Sequence, residues 1–153
     1  MKFKVLPVTS AYIPAIAEVE KACFAQPWSV QSIATELAKE NAAMFVALKS
    51  KDQVVGWAGL EYICGEGNVT NVAVLPQERR HGVGEALTRT LLSEAINLSL
   101  DWLMLEVRVS NVTAISLYRN LGFEPVGIRP NFYDSPREDA LLMRHTPNNG
   151  LGI

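Results

Sequence analysis

The segment Val72-Ala-Val-Leu-Pro-Gln-Glu-Arg-Arg-His-Gly-Val-Gly-Glu-Ala-Leu87 joins an apolar strand, a basic loop and the start of an amphipathic helix. Gly82 and Gly84 remove Cβ atoms where the chain must turn and where a ligand would touch the backbone. The free N–H groups at a helix start, together with the positive end of the helix dipole, favour an anion. Basic residues 79–81 add positive charge. The segment therefore predicts a pyrophosphate cradle, although a plain glycine turn flanked by solvated arginines would have the same sequence.

Two other phosphate-binding loops fit this segment less well. A P-loop requires Lys followed by Ser or Thr after its glycines, and neither pair follows Gly84. A dinucleotide-binding loop requires a third glycine where this chain has Leu87. Glu106 does follow at a separation along the sequence that suits the ribose-binding acid of that motif. The long basic loop also does not suit the tight first turn of that motif.

Outward from this segment, the hydrophobic periodicity alternates between strand and helix. Ser29 is a suitable N-cap for the second helix, and Gly122 is a suitable stop for the last helix. Strands are predicted over 2–7, 44–49, 53–62, 68–75, 102–108, 123–128 and 138–144, and helices over 10–24, 30–40, 83–99 and 111–121. This order, β-α-α-β-β-β-α-β-α-β-β, predicts an α/β fold, with α+β character, in which a mixed, mostly antiparallel sheet carries helices on both faces.

Length and composition narrow the class of protein. The 153 residues predict one domain over 1–145, and the turn-forming end 146–153 predicts a flexible tail. A net charge of −2 argues against a general nucleic-acid-binding surface. The two cysteines and two histidines lack metal-ligand spacing, so no metal is expected, and the thiols are expected to be at least half-buried in a reducing compartment. Without a long apolar run or a signal peptide, a cytoplasmic protein without membrane contact is expected.

Two blocks of sequence resemble one enzyme superfamily. Arg79-Arg-His-Gly-Val-Gly84 fits the Q/R-x-x-G-x-G/A motif of the GNAT acyl-CoA N-acyltransferases. The block Leu105-Glu-Val-Arg-Val-Ser-Asn-Val-Thr-Ala-Ile-Ser-Leu-Tyr-Arg-Asn-Leu-Gly-Phe123 is similar to a second motif of the same superfamily, in the same order and at a fitting separation. The resemblance covers about residues 2–145, and it implies the GNAT fold, whose splayed strands hold CoA.

Further segments look like the RimI family, the bacterial enzymes that acetylate the N-terminal alanine of small-subunit ribosomal protein 18. These segments are Pro27-Trp28-Ser29, Asn71-Val-Ala-Val74, Leu105-Glu-Val-Arg108, and Gly127-Ile-Arg-Pro-Asn-Phe-Tyr133 leading to Glu138-Asp-Ala-Leu-Leu-Met143. The chain departs from that pattern at Phe132, where relatives often carry a second tyrosine.

The resemblance implies a role for each matching residue. Glu106 would be the general base, and Tyr118 would protonate the departing CoA thiolate. An exposed Glu106 paired with Arg108 and a Tyr118 that only packs in the core are the structural alternatives. The implied CoA-binding residues are Val72, Ala73, Val74, Arg79, Arg80, His81, Gly82, Val83, Gly84, Glu85, Asn111 and Tyr118. The implied substrate-binding residues are Trp28, Asn71, Arg129, Asn131 and Tyr133, and Asp134, Glu138 and Asp139 could favour a cationic substrate.

The expected activity is transfer of an acetyl group from acetyl-CoA to a protein N-terminal amine, by direct attack in a ternary complex of a monomeric enzyme. A ribosomal protein is the expected substrate, with no direct contact to nucleic acid. A GNAT enzyme acting on a small amine or a lysine side chain, and a non-catalytic CoA-binding module, remain alternatives.

Overall fold

The structure is a computed structural model that describes residues 2–146. Within this range the chain forms seven strands and four α-helices. The strands are β1 (Lys4–Pro7), β2 (Ala42–Lys49), β3 (Gln53–Ile63), β4 (Glu66–Val74), β5 (Trp102–Arg108), β6 (Glu124–Asp134) and β7 (Arg137–His145). The helices are α1 (Ile13–Cys23), α2 (Val30–Leu37), α3 (Val83–Asn97) and α4 (Val112–Asn120).

Local hydrogen bonds explain where the two shorter helices begin and end. The Ser29 hydroxyl accepts a hydrogen bond from the Ser32 N–H at 3.0 Å and caps α2. Asn111 Oδ1 accepts from the Ala114 N–H at 3.2 Å and caps α4. After α4, Gly122 takes a left-handed conformation with φ of 99°, and the Phe123 N–H donates to the Tyr118 carbonyl at 2.9 Å.

The sheet separates two apolar cores. Its strand order is β1-β2-β3-β4-β5-β7-β6, with antiparallel neighbours except for the parallel pair β4 and β5. Helices α3 and α4 pack on one face through side chains such as Leu87 and Leu91. Helices α1 and α2 cover the other face, where Ile16 and Ile33 pack around the fully buried Trp57. The predicted order of elements and the mixed sheet with helices on both faces are confirmed.

The parallel strands β4 and β5 pair only at their first residues. Their register joins Glu66–Asn68 to Trp102–Met104 and goes no further. Beyond this point each strand continues, β4 against β3 and β5 against β7. The sheet therefore divides in its middle, and one edge of each strand has no strand partner among the residues that the structure describes.

The last hairpin differs from the prediction. Strand β6 continues past residue 128 through an irregularity between Arg129 and Tyr133, and it ends at Asp134 rather than giving way to a long loop. Pro125 and Pro130 lack an N–H and hide the strand pattern, but both are tolerated because β6 is an edge strand with irregular pairing.

Three other predictions about the whole chain have different outcomes. Cys23 is half-buried as expected, whereas Cys64 is exposed, because it lies in the turn between β3 and β4 with φ of 52°. Of the predicted tail 146–153, residues 147–153 fall outside the described residues. Over the part of the chain that the structure describes, no helix is long and apolar enough to cross a membrane.

Candidate active site

A cleft of about 430 Å³ opens where β4 and β5 separate. The two strands form its sides through residues 69–72 and 105–108, and α4 contributes Asn111, Ala114 and Tyr118. The α1–α2 loop and the end of β6 complete its walls. Three residues implied as catalytic or cofactor-binding, Glu106, Tyr118 and Asn111, thus line one cleft.

The open edge of β4 presents backbone groups to this gap. The Val74 carbonyl accepts hydrogen bonds from Arg79 Nε at 3.0 Å and from the Cys23 thiol at 3.2 Å, so it points away from β3. The Leu75 N–H donates to the Val55 carbonyl on β3. Because peptide groups alternate along a strand, the N–H groups of Val72 and Val74 face the gap, and those of Ala73 face β3.

The glycine loop leaves N–H groups free at the start of α3. The first hydrogen bond within α3 runs from the Ala86 N–H to the Gly82 carbonyl, so residues 83–85 have no acceptor inside the helix. Gly82 has a φ of 85°, and a Cβ there would meet no atom of residues 2–146 within 4 Å. A Cβ on Gly84 would lie 3.8 Å from Val74 and 3.7 Å from Leu117, in the space between β4 and α4. Gly82 is therefore needed for its backbone conformation, whereas Gly84 keeps the space between β4 and α4 open.

The three basic residues of the loop do not act alike. Arg79 is held against the end of β4 by its bond to Val74, and its Nη2 is 3.6 Å from the Cys23 sulfur. Arg80 and His81 are exposed, and Arg80 has a left-handed φ of 68°. Only Arg80 and His81 are therefore free to approach a phosphate without breaking a contact.

Glu106 keeps its carboxylate available. Its side chain is 26% exposed, and its ion-pair partner is Arg129 Nη1 at 3.8 Å, beyond hydrogen-bond distance. The pairing with Arg108 considered above is wrong. Arg108 instead donates to the Pro136 carbonyl at 2.8 Å and pairs with Glu138 at 3.2 Å.

Two phenols share the cleft with Glu106. Burial, with a smaller electrostatic contribution from Tyr133, raises the pKa of Tyr118 to about 12. Burial and then the negative charge of Glu106 raise the pKa of Tyr133 to about 12. The Tyr133 ring lies 4.3 Å from the Arg108 guanidinium, which holds it in place. Both hydroxyls therefore remain protonated near neutral pH.

The wall opposite the hairpin contains a residue that the sequence analysis missed. Glu20, on α1, is fully buried and accepts hydrogen bonds from the Trp28 N–H at 3.0 Å, Trp57 Nε1 at 2.9 Å and Asn71 Nδ2 at 2.6 Å. Trp28 and Asn71 both line the cleft, and the Trp28 ring packs edge-on against Trp57 at 5.4 Å. The sequence signal was an acid on the apolar side of the α1 helix, beside Ile16 and Ala17.

The expected substrate residues are only partly brought together. Trp28, Asn71 and Tyr133 line the cleft, and Arg129 reaches it through Glu106. Asn131 is exposed and does not line the cleft, because it lies in the irregular part of β6 with φ of 53°.

The acidic residues of the β6–β7 hairpin have different surroundings. Asp139 accepts a hydrogen bond from the Asn131 N–H at 2.8 Å. The Ser110 N–H donates to Glu138 at 2.7 Å, and Glu138 also pairs with Arg108. These contacts lower the pKa of Glu138. Only Asp134 among these acids lines the cleft.

Among residues 2–146, no three His, Cys, Asp or Glu side chains lie close enough together to hold a metal ion.

Comparison with known proteins identifies the class of this enzyme. Residues 13–123 match the acetyltransferase (GNAT) family. The chain belongs to this family and is an acetyltransferase, as the sequence motifs predicted. A structure of the NatC complex bound to Gag peptide and CoA is 20% identical and covers 95% of this chain and 99% of that chain, with a TM-score of 0.84. That similarity shows the shared fold.

Within the family, the chain is similar to bacterial enzymes of the RimI type. It is 34% identical over 133 residues to the [ribosomal protein bS18]-alanine N-acetyltransferase of Escherichia coli, a match that covers 86% of this chain and 88% of that protein. The crystal structure of the ribosomal-protein alanine N-acetyltransferase from Escherichia coli is 31% identical, with a TM-score of 0.86, and the match covers 95% of this chain and 94% of that one. The predicted resemblance to the RimI family is confirmed.

Proposed function

We propose that this enzyme acetylates a protein N-terminal α-amine, and that its target is the N-terminal alanine of ribosomal protein bS18. The observation that carries the proposal is the meeting of Glu106, Tyr118 and Asn111 in one cleft between the separated strands. The similarity to the Escherichia coli alanine N-acetyltransferase supports the choice of target.

The residues around the gap suit acetyl-CoA. The free N–H groups of residues 83–85 would receive the pyrophosphate, with Arg80 and His81 nearby. The edge of β4 at Val72 and Val74 would bind the amide groups of the pantetheine arm. Asn111 and the space beside Gly84 would border the same arm. Bound acetyl-CoA supplies the acetyl group as a reactive thioester.

Glu106 would accept the proton that the amine must lose. A free α-amino group has a pKa of about 7.7–8.0, so at neutral pH most of the substrate is protonated and cannot attack. The Glu106 carboxylate receives no hydrogen bond from residues 2–146, and its contact with Arg129 is long. It can therefore take the proton directly or through one water. The inward N–H groups of β4 would stabilise charge on the acetyl oxygen.

Tyr118 would act on the other side of the reaction. Because its pKa is about 12, its hydroxyl is protonated throughout the working range and can donate to the departing sulfur. Trp28, Asn71 and Tyr133 would contact the peptide, with Arg129 at the rim. The enzyme would work as a single domain over 1–145, as a monomer in the cytoplasm, without a metal and without touching nucleic acid.

The test is mass spectrometry of a peptide with an N-terminal Ala-Arg sequence and one internal lysine, after incubation with enzyme and acetyl-CoA. We expect the acetyl group on the α-amine alone. The variant Glu106→Gln should acetylate about 10²-fold more slowly near neutral pH, with a smaller loss above about pH 8, where the amine is already neutral.

Two controls accompany this test. Glu124→Gln changes an exposed acid at the start of β6, away from the cleft, and should behave as wild type. A peptide with a blocked N-terminus should gain no acetyl group. Acetylation of the internal lysine would indicate a side-chain acetyltransferase. CoA binding without transfer to either amine would indicate a binding module, and both results contradict the proposal.

A further inference from the structure

Glu20 is a buried acid that is held by neutral donors. Its side chain has no exposed surface, and no Lys, Arg or His among residues 2–146 forms an ion pair with it. Burial raises its pKa, whereas the hydrogen bonds from Trp28 and Trp57 lower it. A buried carboxylate is costly to desolvate, and Glu20 is kept together with three donors that an apolar side chain would leave unpaired. The role of Glu20 is therefore defined by the groups that it holds.

The hydrogen bonds of Glu20 connect four parts of the fold. Oε1 accepts from the backbone of Trp28 in the α1–α2 loop. Oε2 accepts from Trp57 on β3 and from Asn71 on β4. Trp57 is itself fully buried and fixed by its packing, so it serves as the anchor. Trp28 and Asn71, in contrast, face the cleft.

The contact with Glu20 also determines which end of the Asn71 amide faces the cleft. A carboxylate can only accept hydrogen bonds, so Asn71 must turn its Nδ2 toward Glu20, and the distance is 2.6 Å. The Oδ1 atom then points to the opposite side. Irregular pairing between β4 and β3 next to Asn71 brings this side chain to the cleft wall. One Nδ2 hydrogen of Asn71 is thus committed to Glu20, and Oδ1, which accepts no hydrogen bond from residues 2–146, is left as an acceptor on the cleft wall.

We infer that Glu20 is a positioning residue for the peptide side of the site: it presents Asn71 Oδ1 as an acceptor for an N–H group of the substrate and holds the Trp28 loop that walls the same side. This inference rests on the proposed function, because it assumes a substrate that enters as an amine or a peptide. The CoA side does not depend on Glu20, because the edge of β4 at Val72 and Val74 is held by β3 and Arg79.

The first variant is Glu20→Gln, with Glu18→Gln as its control. Gln offers one accepting oxygen, and two of the three donors converge on Oε2, so the amide nitrogen will face the Trp28 N–H and release that loop. We expect the peptide KM to rise about tenfold, which is the effect of one lost hydrogen bond to a charged group, with kcat and the Kd of CoA unchanged. Glu18 lies on the same helix, is 73% exposed and pairs with Lys21, so its variant should match wild type.

The second variant, Asn71→Asp, tests the amide orientation. This test does not depend on whether Glu20→Gln folds well. It places two carboxylates at hydrogen-bond distance, where they must share a proton. While the proton is shared, the pair keeps the geometry of wild type; when it is lost, the two charges repel. The ratio of variant to wild-type peptide KM should therefore rise with pH. A ratio that does not change with pH, or a Kd for CoA that rises together with the peptide KM, would overturn the inference.

Failure of the proposed function is detected separately, in wild type alone. Wild type that binds CoA but acetylates no peptide contradicts that function. The inference about Glu20 is then tested by NMR of the Asn71 side-chain amide. We expect its hydrogens to exchange slowly with solvent in wild type and Glu18→Gln. Exchange as fast as that of an exposed amide such as Asn120 would contradict the inference.

Discussion

Tyr118 is almost fully buried, with only 9% of its surface exposed, yet its hydroxyl has no hydrogen-bond partner among residues 2–146. The ring packs edge-on against Phe123 at 5.7 Å. Its hydroxyl therefore contributes little to folding and remains available to the cleft. A phenol with a pKa of about 12 is a weaker acid than a thiol, whose pKa is about 8.5, so hydrogen bonding to the leaving sulfur is its main contribution.

Tyr118→Phe should consequently separate catalysis from binding. We expect turnover to fall about 10²-fold, as for loss of one donor to developing charge, with the Kd of CoA and the unfolding midpoint close to wild type. Tyr62→Phe is the matched control, because the Tyr62 hydroxyl donates to the Glu40 carbonyl outside the cleft. Equal loss of CoA binding and turnover would make Tyr118 a structural residue instead.

Sequence motifs predicted roles for Glu106 and Tyr118, because both stand at fixed positions in a recognisable block, and both line the cleft. Glu20 could not be found in this way. Helical periodicity places Glu20, and not Glu18, on the apolar side of α1. Its partners Trp57 and Asn71, however, lie 37 and 51 residues away along the chain, and no motif links them to it. The position of Asn131 outside the cleft could not be predicted for a related reason, because the irregular pairing in β6 changes side-chain direction without a signal in the sequence.

At the scale of elements, strand β5 was predicted with its observed bounds, because its buried and half-buried residues alternate regularly. Strand β6 was predicted too short, because nearly all its residues are exposed and two are prolines. The separation of β4 from β5 was expected from the family resemblance alone. Period and propensity describe single elements, and they do not record how far two strands stay paired.

The turn into α3 yields a prediction about one glycine. A side chain at Gly84 would enter the space between Val74 and Leu117, where we place the pantetheine arm. The φ of Gly84 is not left-handed, so a side chain there causes no backbone strain. Gly84→Val should raise the Kd of CoA at least about tenfold, while the urea midpoint of unfolding changes little.

The Kd of CoA is measured by calorimetry, and two further variants serve as comparisons. Gly84→Ala adds only a methyl group at ordinary contact distance and should bind CoA nearly as wild type does. Gly82→Ala should instead lose about 1 kcal/mol of stability, because φ at this position is 85°. If Gly84→Val binds CoA like Gly84→Ala, the arm does not pass beside α3.

The whole molecule depends on two cores that hold the divided sheet together. On one face, Trp57 and its neighbours fix β3 to α1 and α2. On the other face, a single core beneath α3 and α4 joins Ala58 and Leu60 of β3 to Leu103 of β5 and Met143 of β7. Because this core spans the division, β4 and β5 can separate without exposing the interior. The cleft is thus a product of the overall packing, in which many ordinary core residues take part.

His145 lies where the last strand closes this packing, and it makes folding sensitive to pH. It pairs with Leu103 across β5 and β7, its ring lies 5.4 Å from Phe123, and its buried Nδ1 has no partner among residues 2–146. Burial lowers its pKa from the ordinary 6.5. The folded state therefore binds fewer protons than the unfolded state, and stability is complete above 6.5 and falls as the pH drops toward the lowered pKa.

The loss should be at most about 1.4 kcal/mol per pH unit, a ceiling that the partial exposure of the ring reduces. His81 is exposed, so His81→Gln is the control. As the pH is lowered from about 7 to about 5.5, we expect the urea midpoints of unfolding of wild type and of His81→Gln to decrease. His145→Gln, which cannot be protonated, should show a smaller decrease over the same interval. If the urea midpoints of all three proteins decrease equally, the acid sensitivity originates elsewhere, and protonation of His145 does not affect the packing of β7.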